Sequence, residues 1–403
     1  MPMSLGKPVI WRVLGDKGVA TAPTTDKVNH WGNVSGAFAD GAVLLPLLVA
    51  LALTTGYSGG MLLATAGLAY VVSGFIFKIP MPVQPLKSVV VVALAVGATM
   101  GEIRLSGLAI GLVCLTLAFM PANKWAANVP RSLVHGLQFG LGILLIFKGL
   151  NWDYSSLAVT SDVSVMIVIG AAVLLVIVGE VTSLPLMGWL ASAALIAAAV
   201  TAYMGAAPAV QVVVENQAIR FDIILALVLP QLALTMTNSV VATSDVAERY
   251  YGAAGKRANP KALLTSIGVG NILSASVAGL PFCHGSGGLT AHKKGGAVTW
   301  HMNLIIGGTL LVLALGHVLI APVIPAFHPW VVGALLITTG VFHMKLAVPS
   351  LKNNIWRWQI AVMAITTLLS RNLLVVLLMG IAVYLVLRLL DKPNSASKSI
   401  KDA

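Results

Sequence analysis

Ile79-Pro80-Met81-Pro82-Val83-Gln84-Pro85-Leu86-Lys87-Ser88 and Gly279-Leu280-Pro281-Phe282-Cys283-His284-Gly285-Ser286-Gly287-Gly288 interrupt an otherwise regular series of apolar runs. Prolines and glycines crowd the start of each stretch, where a helix interior would reject them. Each then continues as a short helical segment. The placement of these two breaks decides how the rest of the chain is read.

Around them the sequence is apolar throughout. Of 403 residues, 58% are hydrophobic and 9% charged, and the mean hydropathy is +0.93. Soluble domains carry about 25% charged residues. That gap excludes a cytosolic enzyme, a disordered regulator and a secreted module, and leaves a polytopic membrane protein in a lipid bilayer. The net charge is +12, but no dense basic run interleaves with aromatics, so nucleic acid is not an expected partner. Cys114 and Cys283 form no disulfide framework and have no metal-ligand spacing. Walker, zinc and haem motifs are absent, so no cofactor, no metal and no ATP hydrolysis are expected. Met1 to His30 is polar, with neither the apolar region nor the cleavage site of a signal peptide.

A helix needs about 20 residues to cross the hydrocarbon. The apolar runs give about fourteen such segments: 36–55, 59–78, 82–99, 104–121, 129–149, 164–181, 184–204, 222–243, 262–279, 284–297, 301–324, 328–346, 356–369 and 371–390. With the N-terminus inside, twenty Lys and Arg residues fall on the cytoplasmic side. Arg104, Lys148, Arg220 and Arg371 fall outside, and Lys87 lies within a span. That asymmetry fits the positive-inside rule and puts both termini in the cytoplasm.

The broken segments are spans 3 and 10, seven apart. Each is the third span of a seven-span half, and an odd number of spans forces the second half to insert upside down. The expected fold is an all-α polytopic membrane protein with two inverted seven-span repeats and half-helices at spans 3 and 10. The expected division is a cytoplasmic segment 1–34, a first repeat 35–204, an extracytoplasmic linker 205–221, a second repeat 222–391 and a cytoplasmic tail 392–403. Extended backbone at membrane depth is tolerated where it is buried or lines a cavity. Two half-helices entering from opposite sides would bring their N-termini together near the centre, and two positive helix ends make a site for an anion.

Polar groups inside spans are functional candidates. Lys87 beside a helix N-terminus suits an anionic ligand, or snorkels to the cytoplasmic face. Gln84 donates to an oxyanion or caps the helix. Thr235, Asn238 and Ser239 share one helical face and either bind substrate or join neighbouring helices, whereas Gln231 and Thr237 are offset from it. Asp245 and Glu248 read as loop or mouth residues, and Glu180 as interfacial. In span 10, Gly285 allows close approach of backbone to ligand, and Ser286 is a donor. His284 binds the ligand, carries a proton or is structural. Asp40, in the first span, is a proton-coupling candidate, a partner for Lys87 or a residue of the cytoplasmic mouth. Ser286 and His284 have no carboxylate orienter and no nucleophile elbow, so a hydrolase is not expected.

Pro80 to Ser88 resembles the first signature of the plant-type molybdate transporter family. Pro230-Gln231-Leu232 through Thr237-Asn238-Ser239-Val240 resembles a second signature. Pro281-Phe282-Cys283-His284-Gly285-Ser286-Gly287-Gly288-Leu289 resembles a third, and Gly36 to Pro46 is similar to the first-span pattern. The resemblance implies a relative of sulfate permeases and nucleobase symporters, with spans 1–4 and 8–11 as a core that slides against a gate in an elevator motion. It implies uptake of molybdate, with sulfate or tungstate as competing oxyanions, through an inner or plasma membrane transporter, with a homodimer as its assembly. Nucleobase carriers of this architecture place carboxylates in spans 8 and 10; Asn238 and His284 stand there in this chain. Another substrate of the same fold, or a lipid-phosphate enzyme, is the alternative.

Overall fold

The computed structural model describes residues 30–120, 129–152, 161–182, 184–205, 218–353 and 356–390. The polar N-terminal residues 1–29, most of the 205–221 linker and the tail from 391 lie outside the described residues, as does the Glu180 side chain.

Helices dominate. In chain order they are α1 (His30–Ala37), α2 (Gly41–Thr55), α3 (Gly59–Phe77), α4 (Lys87–Val96), α5 (Met100–Ala118), α6 (Arg131–Leu150), α7 (Ser161–Thr182), α8 (Leu186–Tyr203) and α9 (Phe221–Leu234). A π-helix, Thr235–Ala242, joins α9 to α10 (Thr243–Tyr251). There follow α11 (Pro260–Ser276), α12 (Ser286–Lys294), α13 (His301–Leu319), α14 (Pro329–Lys345), α15 (Val348–Leu351), α16 (Trp356–Ser370) and α17 (Leu373–Leu390). Among the described residues, seven helical segments are long and apolar enough to cross a membrane.

Local chemistry sets several boundaries. Ser58 caps α3 through Met61 N–H, and Asn259 with Pro260 opens α11. Thr99 and Glu102 form a capping box on α5. Gly97, at φ 63°, ends α4 in a conformation that glycine adopts without strain.

The expectations for span boundaries need four corrections. The chain is not wholly helical: β1 (Gln84–Pro85) and β2 (Phe282–Cys283) form a two-stranded antiparallel ribbon. The first span is broken, since α1 stops at Ala37 and α2 begins at Gly41, with Asp40 at its N-cap. The eighth runs on to Tyr251, so Asp245 and Glu248 are helical, and Asp245 pairs with Arg249 at 3.0 Å. Its π-turn also removes the single α-helical face assumed for Thr235, Asn238 and Ser239. A helix closed by i→i+5 bonds turns less per residue, so the three-residue step from Thr235 to Asn238 leaves the face, whereas the four-residue step to Ser239 stays near it.

The core centres on α2 and α4. Leu47, Leu48, Val49, Ala50 and Leu51 are fully buried, as are Val89, Val90 and Val92. Helices apolar all round belong inside a bundle. Outer helices expose Leu68, Phe75, Val312 and Leu315, the pattern of a surface solvated by lipid. Three helix pairs cross at glycines. Gly67 meets Gly307 between α3 and α13, Gly111 meets Gly268 between α5 and α11, and Gly142 meets Gly340 between α6 and α14. The missing Cβ atoms let the backbones touch.

Candidate functional site

The ribbon joins the two broken stretches. Gln84 pairs with Cys283 and Pro85 with Phe282, and Leu86 N–H donates to Pro281 O at 2.8 Å. β1 leads into α4 at Lys87, and β2 leads into α12 at Ser286. Because the strands are antiparallel, the two short helices leave the ribbon in opposite directions, each with its N-terminus at the ribbon. The first N–H groups of a helix lack intrahelical partners, so both positive ends face the same place.

Buried amides hold the extended stretches in position. Asn271 of α11 donates to Phe282 O at 2.7 Å and accepts from Phe282 N–H at 3.0 Å. Asn303 of α13 does the same for Met81, at 2.7 and 3.1 Å. Both side chains are 0% exposed. Each satisfies a strand-like peptide that would otherwise be an unpaired buried dipole. Thr65 accepts from Leu280 N–H at 2.9 Å. The sequence reading missed both asparagines; its available signal was a lone amide within an apolar run.

The site residues predicted from sequence fall into two groups. His284 is structural in its contacts. Its Nδ1 lies 2.8 Å from Pro82 O and its Nε2 2.9 Å from Ser266 Oγ. Its ring meets the edges of Phe77 and Phe282. Both ring nitrogens are occupied and the residue is fully buried. Gln231, set aside as off the polar stripe, caps α4: its Oε1 accepts from Ser88 N–H at 2.8 Å, and its Nε2 donates to Thr235 Oγ1 at 3.0 Å. Thr235 is thereby a partner of Gln231.

The second group surrounds the helix ends. Ser286 Oγ donates to Asn238 Oδ1 at 2.7 Å, tying α12 to the π-turn. Gln84 Nε2 donates to both Asp40 oxygens, at 2.7 and 2.8 Å, so Asp40 pairs with Gln84 and makes no ion pair with Lys87. A Cβ on Gly285 would overlap Gln84 Oε1, and one on Gly288 would stand 2.5 Å from Asp40 Oδ2. A side chain at either position would have to displace the Asp40–Gln84 pair. Lys87, half-buried at the first position of α4, makes no hydrogen bond or ion pair among the described residues. Two further polar side chains project from the α6–α14 pair. Gln138 Oε1 and His343 Nε2 are buried without partners.

An apolar helical bundle with two short helices that start from one ribbon is the fold of a polytopic membrane protein. It is shared with solved anion carriers. "The transmembrane domain of a cyanobacterium bicarbonate transporter BicA" superposes with a TM-score of 0.58 at 16% identity, covering 87% of this chain and 97% of that one. SLC26A9 superposes at 0.62 and 12% identity, over 91% and 66%, and the murine Slc26a9 anion transporter in its inward-facing state at 0.62 and 12%, over 91% and 69%.

The family follows from the sequence match. The family model described as "Molybdate transporter of MFS superfamily" matches residues 32–145 and 224–342, together more than half of the chain, which therefore belongs to this family of multi-pass membrane transport proteins. Among relatives, Molybdate transporter 1 of Chlamydomonas reinhardtii is 35% identical over 125 residues, covering 30% of this chain and 24% of its own length. Molybdate transporter 2 of Arabidopsis thaliana is 23% identical over 360 residues, covering 76% and 77%. Molybdate transporter 1 of the same plant is 28% identical over 357 residues, covering 76% and 78%.

Proposed function

We propose that the chain is a secondary active transporter that takes up a tetrahedral oxyanion, molybdate first among them, across an inner or plasma membrane. The observation that carries this reading is the β1–β2 ribbon, which turns the N-termini of α4 and α12 toward one point beside Lys87. Such a point suits a compact dianion: two helix ends supply N–H donors and positive potential, and an uncommitted ammonium supplies charge. Family membership supports molybdate as the substrate. Substrate contacts are assigned to Gln84, Lys87, Asn238, Gly285 and Ser286, with Thr235 and His284 holding the surrounding backbone. No chemical conversion is part of this reading.

The transport cycle is an elevator motion of two inverted seven-span repeats, 35–204 and 222–391. The helix pairings support the correspondence of the two halves. Counting fourteen crossings, α3–α13 joins spans 2 and 11, and α5–α11 joins spans 4 and 9. Exchanging the halves converts one pair into the other. The α6–α14 pair joins spans 5 and 12, which the same exchange maps onto itself. The core comprises α1–α5 and α9–α13; α6–α8 and α14–α17 form the gate. Asp40 is the proton-coupling group, both termini are cytoplasmic, and the assembly is a homodimer.

Uptake of labelled molybdate into proteoliposomes tests the substrate assignment, with tungstate, sulfate and uracil as competitors. Tungstate and sulfate are expected to compete and uracil to be inert. Competition by uracil but not tungstate would sink the reading.

A further inference from the structure

Gln84 is 1% exposed, and only half of its amide is used. Nε2 serves Asp40, while Oε1 has no hydrogen-bond partner. An ionised carboxylate accepts and cannot donate. As long as Asp40 is charged, the amide must therefore turn its NH2 to Asp40 and its oxygen away. That oxygen faces Gly285, where a Cβ would overlap it, and Asn238 Nδ2 lies 3.6 Å from the same Cβ position. This is the first turn of α12. A lone carbonyl oxygen there repels an anion, and a buried unpaired acceptor is costly to maintain.

Asp40 presses on the same turn through Gly288. The groups facing it can be named element by element. β1 presents Gln84, the start of α4 presents Lys87, α3 presents Tyr70 and β2 presents Cys283. α14 carries His343, one turn beyond Thr339, whose hydroxyl donates to Ala42 O; α12 carries His292, whose Nδ1 lies 2.7 Å from Gly36 O; α8 brings Ser192 against Gly41, the residue after Asp40. Lys87 is the one cation in the group. In the empty protein the Asp40 charge balances Lys87 and the α12 helix end. A dianion arriving at that end meets Asp40 as a like charge and Gln84 as the wrong end of an amide.

We propose that Asp40 and Gln84 form a proton-operated amide switch, in which one proton on Asp40 reverses the Gln84 carboxamide and turns its NH2 toward the bound oxyanion. The inference rests on the oxyanion reading of this site. The proton comes from solution and forms an O–H bond on one Asp40 oxygen. That hydroxyl donates to Gln84 Oε1. Nε2 releases the carboxylate and donates to the anion at the α12 turn. The only other change is rotation about the Gln84 Cγ–Cδ bond, and the glycine at 285 leaves its arc open. One negative charge is removed and one acceptor becomes a donor in the same event. Proton and anion therefore favour each other's binding, reciprocally.

The test is calorimetric titration of molybdate into the purified full chain, in two buffers of different ionisation heat and across pH. The wild type is expected to take up about one proton per molybdate, with affinity rising up to about tenfold per unit fall in pH. Asp40→Asn removes the charge and supplies an Nδ2 donor for Gln84 Oε1, so the reversed orientation is open at every pH. Its affinity is expected to stay at the wild type's low-pH limit at every pH, without proton uptake. Gln84→Met fills the space and donates nothing. Asp40 still loses its charge on protonation, but no amide turns to the anion, so this variant is expected to bind more weakly than wild type at low pH and to show a smaller gain in affinity as pH falls. The inference is overturned if wild-type binding takes up no proton, if Asp40→Asn binds weakly at all pH, or if Gln84→Met keeps the wild-type pH slope. Each of these leaves oxyanion binding itself intact. Failure of wild-type protein to bind molybdate, tungstate or sulfate would instead overturn the site reading and this inference with it. The wild-type proton count needs no variant to fold.

Discussion

Gln84 and Asp40 lie 44 residues apart in sequence and meet through one amide nitrogen and two carboxylate oxygens, at 2.7 and 2.8 Å. The contact joins the break after α1 to the break before α4 and is packed against α12 through Gly288. Three interruptions of regular helix thus converge on one hydrogen-bonded pair.

Gly288 is the most direct probe of that convergence. An added Cβ would stand 2.5 Å from Asp40 Oδ2, 2.6 Å from Gln84 Nε2 and 2.7 Å from Pro82 Cβ. Overpacking of this kind costs about 1–3 kcal/mol. Gly288→Ala is expected to remain folded with a lowered melting temperature and to lose at least about tenfold in molybdate affinity, since about 1.4 kcal/mol corresponds to that factor. Equilibrium binding beside a melting curve in detergent checks it; wild-type affinity would show that the pair does not govern the site.

Lys87 and His284 were both expected at the site from sequence, and they should separate under mutation. Lys87 makes no hydrogen bond or ion pair among the described residues, so Lys87→Met breaks no such contact and is expected to lower the melting temperature less than His284→Ala does. Loss of a charge-assisted bond to substrate, worth about 1.5–3 kcal/mol, lowers affinity about 10- to 150-fold. His284 uses both ring nitrogens on Pro82 and Ser266. His284→Ala empties a fully buried position and is expected to cost about 2–5 kcal/mol of stability. Unchanged high-affinity uptake in both variants would refute the site assignment.

Much of the fold was legible in the sequence because apolar runs of membrane length, and their breaks, are one-dimensional signals. The two broken stretches stood out through Pro80, Pro82, Pro85 and Pro281 and the glycines from 285 to 288, and they do lead into the two short helices. What depended on three-dimensional pairing was not legible. Gln231 was set off the polar stripe although it stands four residues before Thr235, one α-helical turn away on the same face; what the sequence could not show is that its amide caps α4 from across the bundle. Asn271 and Asn303 showed only that some polar partner must exist, not that it would be a strand peptide. Asp40 could be read as a partner for Lys87, because charge alone does not reveal that an amide lies closer.

Asn271 and Asn303 supply a prediction in which stability and transport move together. Each binds both the N–H and C=O of one extended residue. Asn271→Leu strands both peptide groups of Phe282 without partners, at about 1–3 kcal/mol for each group. A lower melting temperature is expected, along with weakened molybdate binding, because Phe282 sets the register that aims α12. Asn303→Leu should act alike through Met81. If either variant melted as wild type does, the ribbon would be held by something other than its asparagine.

The outer end of α4 is fixed by a different device. Glu102 is fully buried and takes four hydrogen bonds: one from Thr99 N–H, one from Arg220 N–H and two from the Arg220 guanidinium. The same guanidinium reaches Gly97 O at 2.9 Å, where α4 terminates. Arg220 is 38% exposed, so its charge is screened by solvent, whereas the Glu102 carboxylate cannot be rehydrated without opening the structure. Removing the cation is therefore harmful mainly through the anion it abandons. Arg220→Ala is expected to cost about 1.5–3 kcal/mol. Glu102→Gln, which keeps one acceptor for the Thr99 N–H cap, should cost less than Glu102→Ala. A double-mutant cycle on melting free energies measures the coupling. Additive losses in Arg220→Ala/Glu102→Gln would mean that the pair is incidental, and that Thr99 alone holds the start of α5.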